Sequence, residues 1–289
     1  MDEKKTTIRV WNATQTMSNS TYEINHYVDK NFQTVSMHSH DFFEVYFFIK
    51  GSASYIVENG HYTLKSGDVL LISPNNLHQL DIHNSSTTYE RIVLWININY
   101  IKKLSSDSTD LAKIFYTFSS TSNHILRDSA LSQNIHKLLI RLSEIENKDT
   151  YGVDIEKECL LTEILLLLNR SAITKTENVI QKMPPLIDKA IEIINSNLTE
   201  KLSLDILAEK LFVNKYYLSH VFKSATNTSI HRFIYIKRLI LSKQLIEKNV
   251  PICEVYLKCG FNDYSNFFRA FKQEFGLTPK QYLHSIQLQ

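Results

Sequence analysis

The sequence has no long hydrophobic run. Its longest apolar stretches, such as Ile164 to Leu168, span five residues, against the roughly 20 that a membrane-crossing helix requires. The first residues, MDEKKTTIRVWNATQ, hold no apolar core of the kind that a secretory signal needs. A cytoplasmic protein with no membrane partner is expected. Cysteine is sparse as well. Cys159, Cys253 and Cys259 make an odd count with no zinc-ligand spacing, which excludes a disulfide framework and a zinc finger and leaves the expectation of buried thiols in a reducing compartment. Low-complexity tracts are missing, and the polar stretches 105–110 and 119–123 read as ordinary loops. Nor is there a strong charge of one sign, since the formal net charge is +2.

What is present is enough apolar material for two cores: 289 residues, 43% hydrophobic and 11% aromatic, fit two folded domains and leave no reason to expect disorder. The small net charge conceals an asymmetry. From Leu186 onward there are 14 Lys and Arg against 9 Asp and Glu, whereas the preceding 185 residues carry 18 against 21. A basic end on a slightly acidic chain is what appears when one half meets a polyanion.

Between Thr34 and Leu94 the chain reads as short strands. Asn59-Gly60, flanked by Ser54-Tyr-Ile-Val and His61-Tyr-Thr-Leu, predicts a hairpin, because both turn residues tolerate positive φ. Gly67-Asp68 marks a second turn before the strand-like Val69-Leu-Leu-Ile and Pro74. Evenly spaced strands of this kind predict a sandwich or small barrel. A helix over 129–147 follows, with Leu131, Ile135, Leu138, Leu139 and Leu142 on one stripe. A second, over 155–171, carries Leu160, Leu161, Ile164, Leu165, Leu167 and Leu168 on a face wider than one partner helix requires. That face packs on its own barrel or forms the seam of a homodimer.

Residues 173–185 lose the apolar period and end in Met183-Pro184-Pro185, where tandem prolines stop any helix from running through. The expected organisation is a sensing and dimerisation domain over 1–172, a linker over 173–185 and a second domain over 186–289. That second domain repeats itself. Leu204, Leu207 and Leu211 recur as Ile252, Val255 and Cys259, 48 positions on. Phe222-Lys223, Asn227, Ser229 and Phe233 recur as Phe271-Lys272, Gly276, Thr278 and Tyr282, 49 positions on. One residue has therefore been inserted in the second copy's turn. Asn227 opposite Gly276 fits a left-handed helix end, which glycine and then asparagine tolerate best.

The most specific stretch is Cys259 to Leu283, CGFNDYSNFFRAFKQEFGLTPKQYL. Gly260 permits a left-handed turn, Asp263 is placed to cap a helix, and Phe267, Phe268, Phe271 and Phe275 fall at helical spacing. The opposite face shows Tyr264, Ser265, Asn266, Arg269 and Lys272, side chains that reach base edges and phosphates but have no acid, base or nucleophile beside them. The pattern Gly-Phe-x-Asp-x-Ser, Phe-x-Arg-x-Phe-Lys, Phe-Gly-x-Thr-Pro-x-x-Tyr resembles the signature of the AraC/XylS family of bacterial transcription regulators, over residues 186–286. That resemblance implies two helix-turn-helix units joined by a linking helix, here Arg238-Leu239-x2-Ser242-x2-Leu245-Ile246, with serine where alanine is usual. Tyr256 likewise replaces the usual alanine of a supporting helix. The family pattern puts Asn214, Lys215, Tyr216, Ser219, His220 and Lys223 at the first DNA-reading helix, with Tyr217 inward or at the rim. Tyr264, Ser265, Asn266, Arg269 and Lys272 take those places in the second. Arg269 suits guanine and Asn266 adenine, while Lys215, Lys223 and Lys272 suit phosphates.

In the first domain, His38-Ser-His40-x3-Glu44-x6-Gly51 and Gly67-x6-Pro74-x3-His78 resemble the two cupin motifs, although the second lacks a glycine before its histidine and has Ile82 where asparagine would stand. Strand alternation would align His38, His40, Phe42, Glu44, Tyr46 and Phe48 on one face. Metal cupins hold iron, manganese or zinc with three such histidines and one glutamate. The regulator family mostly keeps the barrel as a ligand pocket, so His38, His40, Glu44, Tyr46 and His78 are candidate ligand-binding residues and no cofactor is expected. Rings with polar neighbours suit a carbohydrate.

The resulting expectation is an α+β protein, a cupin-like β-barrel with a helical dimerisation segment followed by an all-α domain of two helix-turn-helix units. It would be a homodimeric regulator, not an enzyme, binding double-stranded promoter DNA and a small-molecule effector such as a sugar, and meeting RNA polymerase if it activates. Two other readings stay open: a metal-dependent cupin enzyme with ligands His38, His40, Glu44 and His78, and a DNA-binding protein indifferent to ligand.

Overall fold

Apolar residues on both faces of Phe43–Lys50 dictate the architecture of the first half. Phe43, Val45 and Phe47 are buried in one cluster, and Tyr46 and Phe48 in another. A strand buried on both sides must lie between two layers. The computed structural model describes residues 16–58, 60–121, 124–171 and 181–287. The chain divides into two units, formed mainly by residues up to Gln181 and from Lys182 onward.

The first half of the chain forms strands β1 (Tyr22–Asp29), β2 (Val35–His38), β3 (Phe43–Lys50), β4 (Ala53–Val57), β5 (Gly60–Thr63), β6 (Val69–Ile72), β7 (His78–Ile82) and β8 (Tyr89–Ile96). Helices α1 (Ile98–Leu104) and α2 (Lys113–Thr121), strand β9 (Ile125–Leu126), and helices α3 (Ser129–Ile145) and α4 (Val153–Ser171) follow. One sheet has the order β1-β8-β3-β6-β9, and the second sets β5, β4, β7 and β2 side by side. β3 pairs antiparallel with β6 and β8, and β4 with β5 and β7. Tyr46, Phe48, Val93 and Trp95 of the first sheet share a core with Tyr55, Val57, Tyr62 and Leu80 of the second. The outer face of the first sheet, with Phe43, Val45, Phe47, Leu94 and Ile96, packs on the helices.

Several expectations change here. Strands begin at Tyr22, before Thr34, and α1 and α2 were not anticipated. Residues 119–121 end α2 instead of forming a loop, whereas 122–123 lie outside the described residues. The hairpin is present, but Gly60 already pairs with Val57 and Glu58 takes the positive φ of 52°; Asn59 lies outside the described residues. The wide leucine face is largely consumed within its own unit: Leu160, Leu161, Ile164, Leu165 and Leu168 are buried beside Ile135, Leu139 and Leu142 of α3, while Leu166 and Leu167 are only partly covered. Cys159 and Cys253 are exposed, so only Cys259 is a buried thiol.

The second unit is helical: α5 (Pro185–Ser196), α6 (Leu204–Lys210), α7 (Lys215–Thr226), α8 (Ile230–Glu247), α9 (Ile252–Lys258), α10 (Tyr264–Phe275) and α11 (Pro279–Gln287). Pro185 sits at the first turn of α5, where its missing N–H costs nothing. The linker residues 172–180 lie outside the described residues. The internal repeat emerges as two copies, α6-α7 and α9-α10, with α8 running from the first to the second. Asn227 and Gly276 end α7 and α10 in left-handed conformations, φ 51° and 72°. The inserted residue is Asn262. Val213 N–H and Phe261 N–H make equivalent turn bonds, to Ala208 and Tyr256 carbonyls, but Asn214 caps α7 directly after Val213, whereas Asn262 separates Phe261 from the cap Asp263.

Leu239 and Ile246 of α8 join Val255, Cys259, Phe267, Phe271 and Tyr282 in the core of the second copy. Ser242 is buried in place of alanine without an orphaned hydroxyl, because it donates to the Leu239 carbonyl at 2.6 Å. Arg238 ties α8 to the loop after α5 by donating to the carbonyls of Leu198 (2.9 Å) and Glu200 (2.7 Å). Among the described residues no helix is long and apolar enough to cross a membrane.

Candidate DNA interface and barrel interior

The caps of α7 and α10 fix where their exposed faces begin. Asn214 Oδ1 accepts from the Tyr216 N–H at 2.8 Å, and Asp263 Oδ1 from the Asn266 N–H at 2.8 Å. The Asp263 carboxylate thus satisfies the positive end of its helix. Tyr216, Ser219, His220 and Lys223 then recur at spacings of three and four along one face of α7, as do Ser265, Asn266, Arg269 and Lys272 on α10. Tyr216, His220, Lys223, Tyr264, Ser265, Asn266, Arg269 and Lys272 are exposed, as is Asn214, while Lys215 and Ser219 are half-exposed.

Inward anchoring comes from Leu218 and Phe222 on α7 and from Phe267, Ala270 and Phe271 on α10. Three side chains behave in ways the sequence did not disclose. Tyr217, expected inward or at the rim, is exposed; 49 positions on stands Asn266, so the repeat itself held the signal. Arg269 donates from Nη2 to Asn266 Oδ1 at 2.6 Å. Lys215 Nζ meets Asp205 at 2.7 Å, and that hydrogen bond raises its pKa. Tyr256 packs edge-on against Tyr264, with centroids 5.7 Å apart, so its bulk supports the first turn of α10.

Inside the first unit, His40, Glu44 and His78 are buried with ligand-type atoms all within 4.8 Å of one another. His40 precedes β3, Glu44 lies on it and His78 opens β7. His38 is not one of the three. It belongs to β2, in the other sheet from β3, and residues 39–42 turn between the strands, so the alternation expected to carry His38 onto the Glu44 face is broken. Its Nδ1 bonds the Ser36 carbonyl at 2.8 Å.

The carboxylate of Glu44 accepts from Trp95 Nε1 at 2.8 Å and faces His40 Nε2 at 3.2 Å. Burial first, and then the Glu44 charge, push the Tyr55 phenol well above its ordinary pKa, keeping it protonated. Tyr46 lies 5.1 Å from Tyr55, ring to ring, and its buried hydroxyl has no hydrogen-bond partner among the described residues. Trp95 and Tyr55 were not foreseen as part of this set. Alternation along β8, which puts Trp95 with Val93 on the inner face, was the available signal. Two imidazoles and a carboxylate can hold a metal; with Tyr46, Tyr55 and Trp95 around them they can also orient hydroxyl groups.

A ligand-type barrel and a paired helix-turn-helix unit in one chain define a ligand-linked transcription regulator. Residues 21–165 match the AraC-like ligand binding domain and residues 207–285 a helix-turn-helix domain. The chain belongs to the AraC/XylS family of transcription regulators and is not an enzyme. It is 26% identical over 253 residues to the "Probable transcriptional regulator LumQ" of Photobacterium leiognathi, covering 86% of this chain and 92% of that one. It is 22% identical over 250 residues to the HTH-type transcriptional activator RhaR of an Escherichia coli strain, covering 86% of each. Among solved structures it is similar to the C-terminal domain of AraT, a response regulator from Geobacillus stearothermophilus (27% identity, 36% of this chain and 87% of that, TM-score 0.35). ToxT from Vibrio cholerae is similar over 91% of this chain and 98% of that one, at 16% identity and TM-score 0.37.

Proposed function

We propose that this chain is a cytoplasmic, homodimeric transcription activator that reads promoter DNA with α7 and α10 and responds to a small polar effector, a carbohydrate, in its barrel. The observation that carries this reading is the pair of exposed polar faces standing at matching places in two copies of one fold. Arg269 and Asn266 would read bases, as would Tyr216, Ser219, His220, Tyr264 and Ser265, with Asn214 at the cap. Lys215, Lys223 and Lys272 would hold phosphates. Two such helices enter successive major-groove faces when they stand roughly 34 Å apart, one turn of duplex.

His40, Glu44, His78 and Tyr46 supply buried polar groups within an aromatic interior, which suits hydroxyl-rich ligands; His38 belongs to this set only by sequence motif. Effector binding would shift an equilibrium between DNA-competent and incompetent arrangements. The name of the relative RhaR supports activation, and hence contact with RNA polymerase. The dimer reading rests on Leu166 and Leu167, which line an open groove of about 410 Å³ on α4 with Leu104, Thr162 and Arg170.

The test is footprinting of the purified full chain on its own upstream DNA, followed by thermal-shift screening with monosaccharides, oligosaccharides and other metabolites, since binding to the native state raises its stability. A carbohydrate that raises Tm, alters DNA affinity and loses its effect in Glu44→Ala is the expected result. A footprint with no response to any compound moves the protein to ligand-independent DNA binding. A monomer at micromolar concentration removes the dimer.

A further inference from the structure

We propose that Tyr217 is a specificity-determining residue of α7 and that its ring reads the C5-methyl group of a thymine in the major groove. This rests on the DNA-binding reading and adds to it a base contact of a different chemistry.

The repeat places Tyr217 beside the DNA-reading face. Leu218 and Phe222 are buried anchors of α7, and Phe267 and Phe271, 49 positions on, are those of α10. In that register Tyr217 corresponds to Asn266, each directly before the first anchor and both exposed. The caps agree. Asn214 Oδ1 accepts from the Tyr217 N–H at 3.4 Å and Asp263 Oδ1 from the Asn266 N–H at 2.8 Å, so each residue is the third of its helix. Tyr217 precedes His220 by three residues as Asn266 precedes Arg269, and residues three apart are neighbours on a helix surface. The first turn of a recognition helix is the part that reaches base edges.

What stands at the two places differs in kind. Asn266 carries an amide suited to adenine, and Ser265 before it a hydroxyl; their counterparts in α7 are Tyr217 and Tyr216, two aromatic rings. The tyrosines of these first turns are not held alike. Tyr264 packs its ring against Tyr256, Phe267 and Phe268, at centroid distances of 5.7 to 6.1 Å. Tyr216 has Lys215 Nζ 5.7 Å from its ring centroid. Tyr217 is 57% exposed, and its side chain has no hydrogen-bond, ring or cationic partner among the described residues. A ring kept in water gains free energy only when a partner covers it.

A lone phenol hydroxyl cannot make the bidentate pairs that identify guanine or adenine. The apolar feature of the major groove is the thymine methyl, where cytosine has none and presents an amino donor. An aromatic ring against that methyl separates the two pyrimidines without a hydrogen bond. The two copies of the fold therefore select by unlike means, α10 through an amide and a guanidinium, α7 through apolar contact.

The experiment uses the full chain on its footprinted duplex. Each thymine of the footprint is replaced in turn by deoxyuridine, which removes the methyl and keeps the base pair, and affinity is read by fluorescence anisotropy at fixed salt. At one position the wild-type chain is expected to bind roughly fourfold more weakly, the value of one buried methyl group. Tyr217→Ala binds the thymine and uracil duplexes equally, and Tyr217→Phe, which keeps the ring, restores the difference. A scan without effect on the wild-type chain overturns the proposal, as does a methyl effect that persists in Tyr217→Ala. Loss of the methyl effect in Tyr217→Phe, with binding weakened on every duplex alike, marks a hydroxyl on phosphate and overturns it too. Should Tyr217→Ala unfold, as judged by circular dichroism, photocrosslinking of the wild-type chain to 5-iodouracil at the sensitive position decides: an adduct on Tyr217 supports the contact, and one on another residue overturns it. A footprint indifferent to uracil leaves the regulator reading intact, whereas absence of any footprint removes both.

Discussion

The guanidinium of Arg269 donates to the side-chain oxygen of Asn266 at 2.6 Å, one turn back along α10. The two residues suited to guanine and adenine are therefore one unit before DNA arrives. Arg269→Ala is expected to weaken specific binding by about 1 to 3 kcal/mol and to relax selectivity at one base pair. Because Asn266 holds the guanidinium, Asn266→Ala should cost Arg269 part of its effect, and the double variant should fall short of the sum. Fluorescence anisotropy on the footprinted site, at fixed salt, measures all three. Strict additivity would show that the bond is lost on the DNA.

Lys223 and Lys272 are exposed in the last turns of α7 and α10, at equivalent positions of the two copies. A phosphate contact contributes affinity through counterion release, not through sequence. Lys223→Ala and Lys272→Ala should each weaken binding to specific and random duplexes alike and lower the salt slope by about one. A change confined to one base pair would instead mark a base contact.

The second unit was legible because each of its devices is local and repeated. Gly260, Asp263, Asn227 and Gly276 announce turns and caps by residue type alone, and the shift in offset from 48 to 49 exposed an insertion that the structure puts at Asn262. What was not legible depends on contacts between residues far apart in sequence. Arg238 reaches Leu198 and Glu200 across about 40 positions, and Trp95 reaches Glu44 across 51. His38 was misplaced because period-two alternation holds only while a strand continues, and residues 39–42 leave one sheet for the other. The leucine face of α4 looked too wide for one partner because it meets both α3 and α2.

Burial pushes the Cys259 thiol up to about 12, from an ordinary value of about 8.5. The folded state therefore keeps its proton where the unfolded state has lost it. The resulting stability is fully present below about pH 8.5 and is lost as pH rises toward 12, at up to about 1.4 kcal/mol per unit. Cys259→Ala, which leaves a small cavity, should be less stable than wild type at pH 7.5, and the gap should narrow by pH 10. Urea unfolding at the two pH values reads the difference. A gap that stays constant would mean that the thiol ionises freely in the folded state.

Phe212 and Gly260 occupy the same place in the two turns, both with positive φ, 54° and 85°. Gly260 is required twice over. A Cβ there would stand 2.9 Å from the Leu198 carbonyl oxygen and 2.9 Å from Arg238 Nε, so Gly260→Ala opposes both the backbone conformation and the Arg238 tie. It should cost more than about 1 kcal/mol. Phe212 presents the converse case. A left-handed conformation costs a side-chain-bearing residue about 1 to 2 kcal/mol, and with 95% of its surface exposed Phe212 recovers almost nothing by packing. Phe212→Gly relieves that strain and gives back about 0.5 to 1 kcal/mol through the greater freedom of the unfolded chain. A small net gain in the urea midpoint is expected. A loss would mean that the exposed ring is held by contacts in solution; a gain accompanied by weaker DNA binding would show that the strain is kept for the interface.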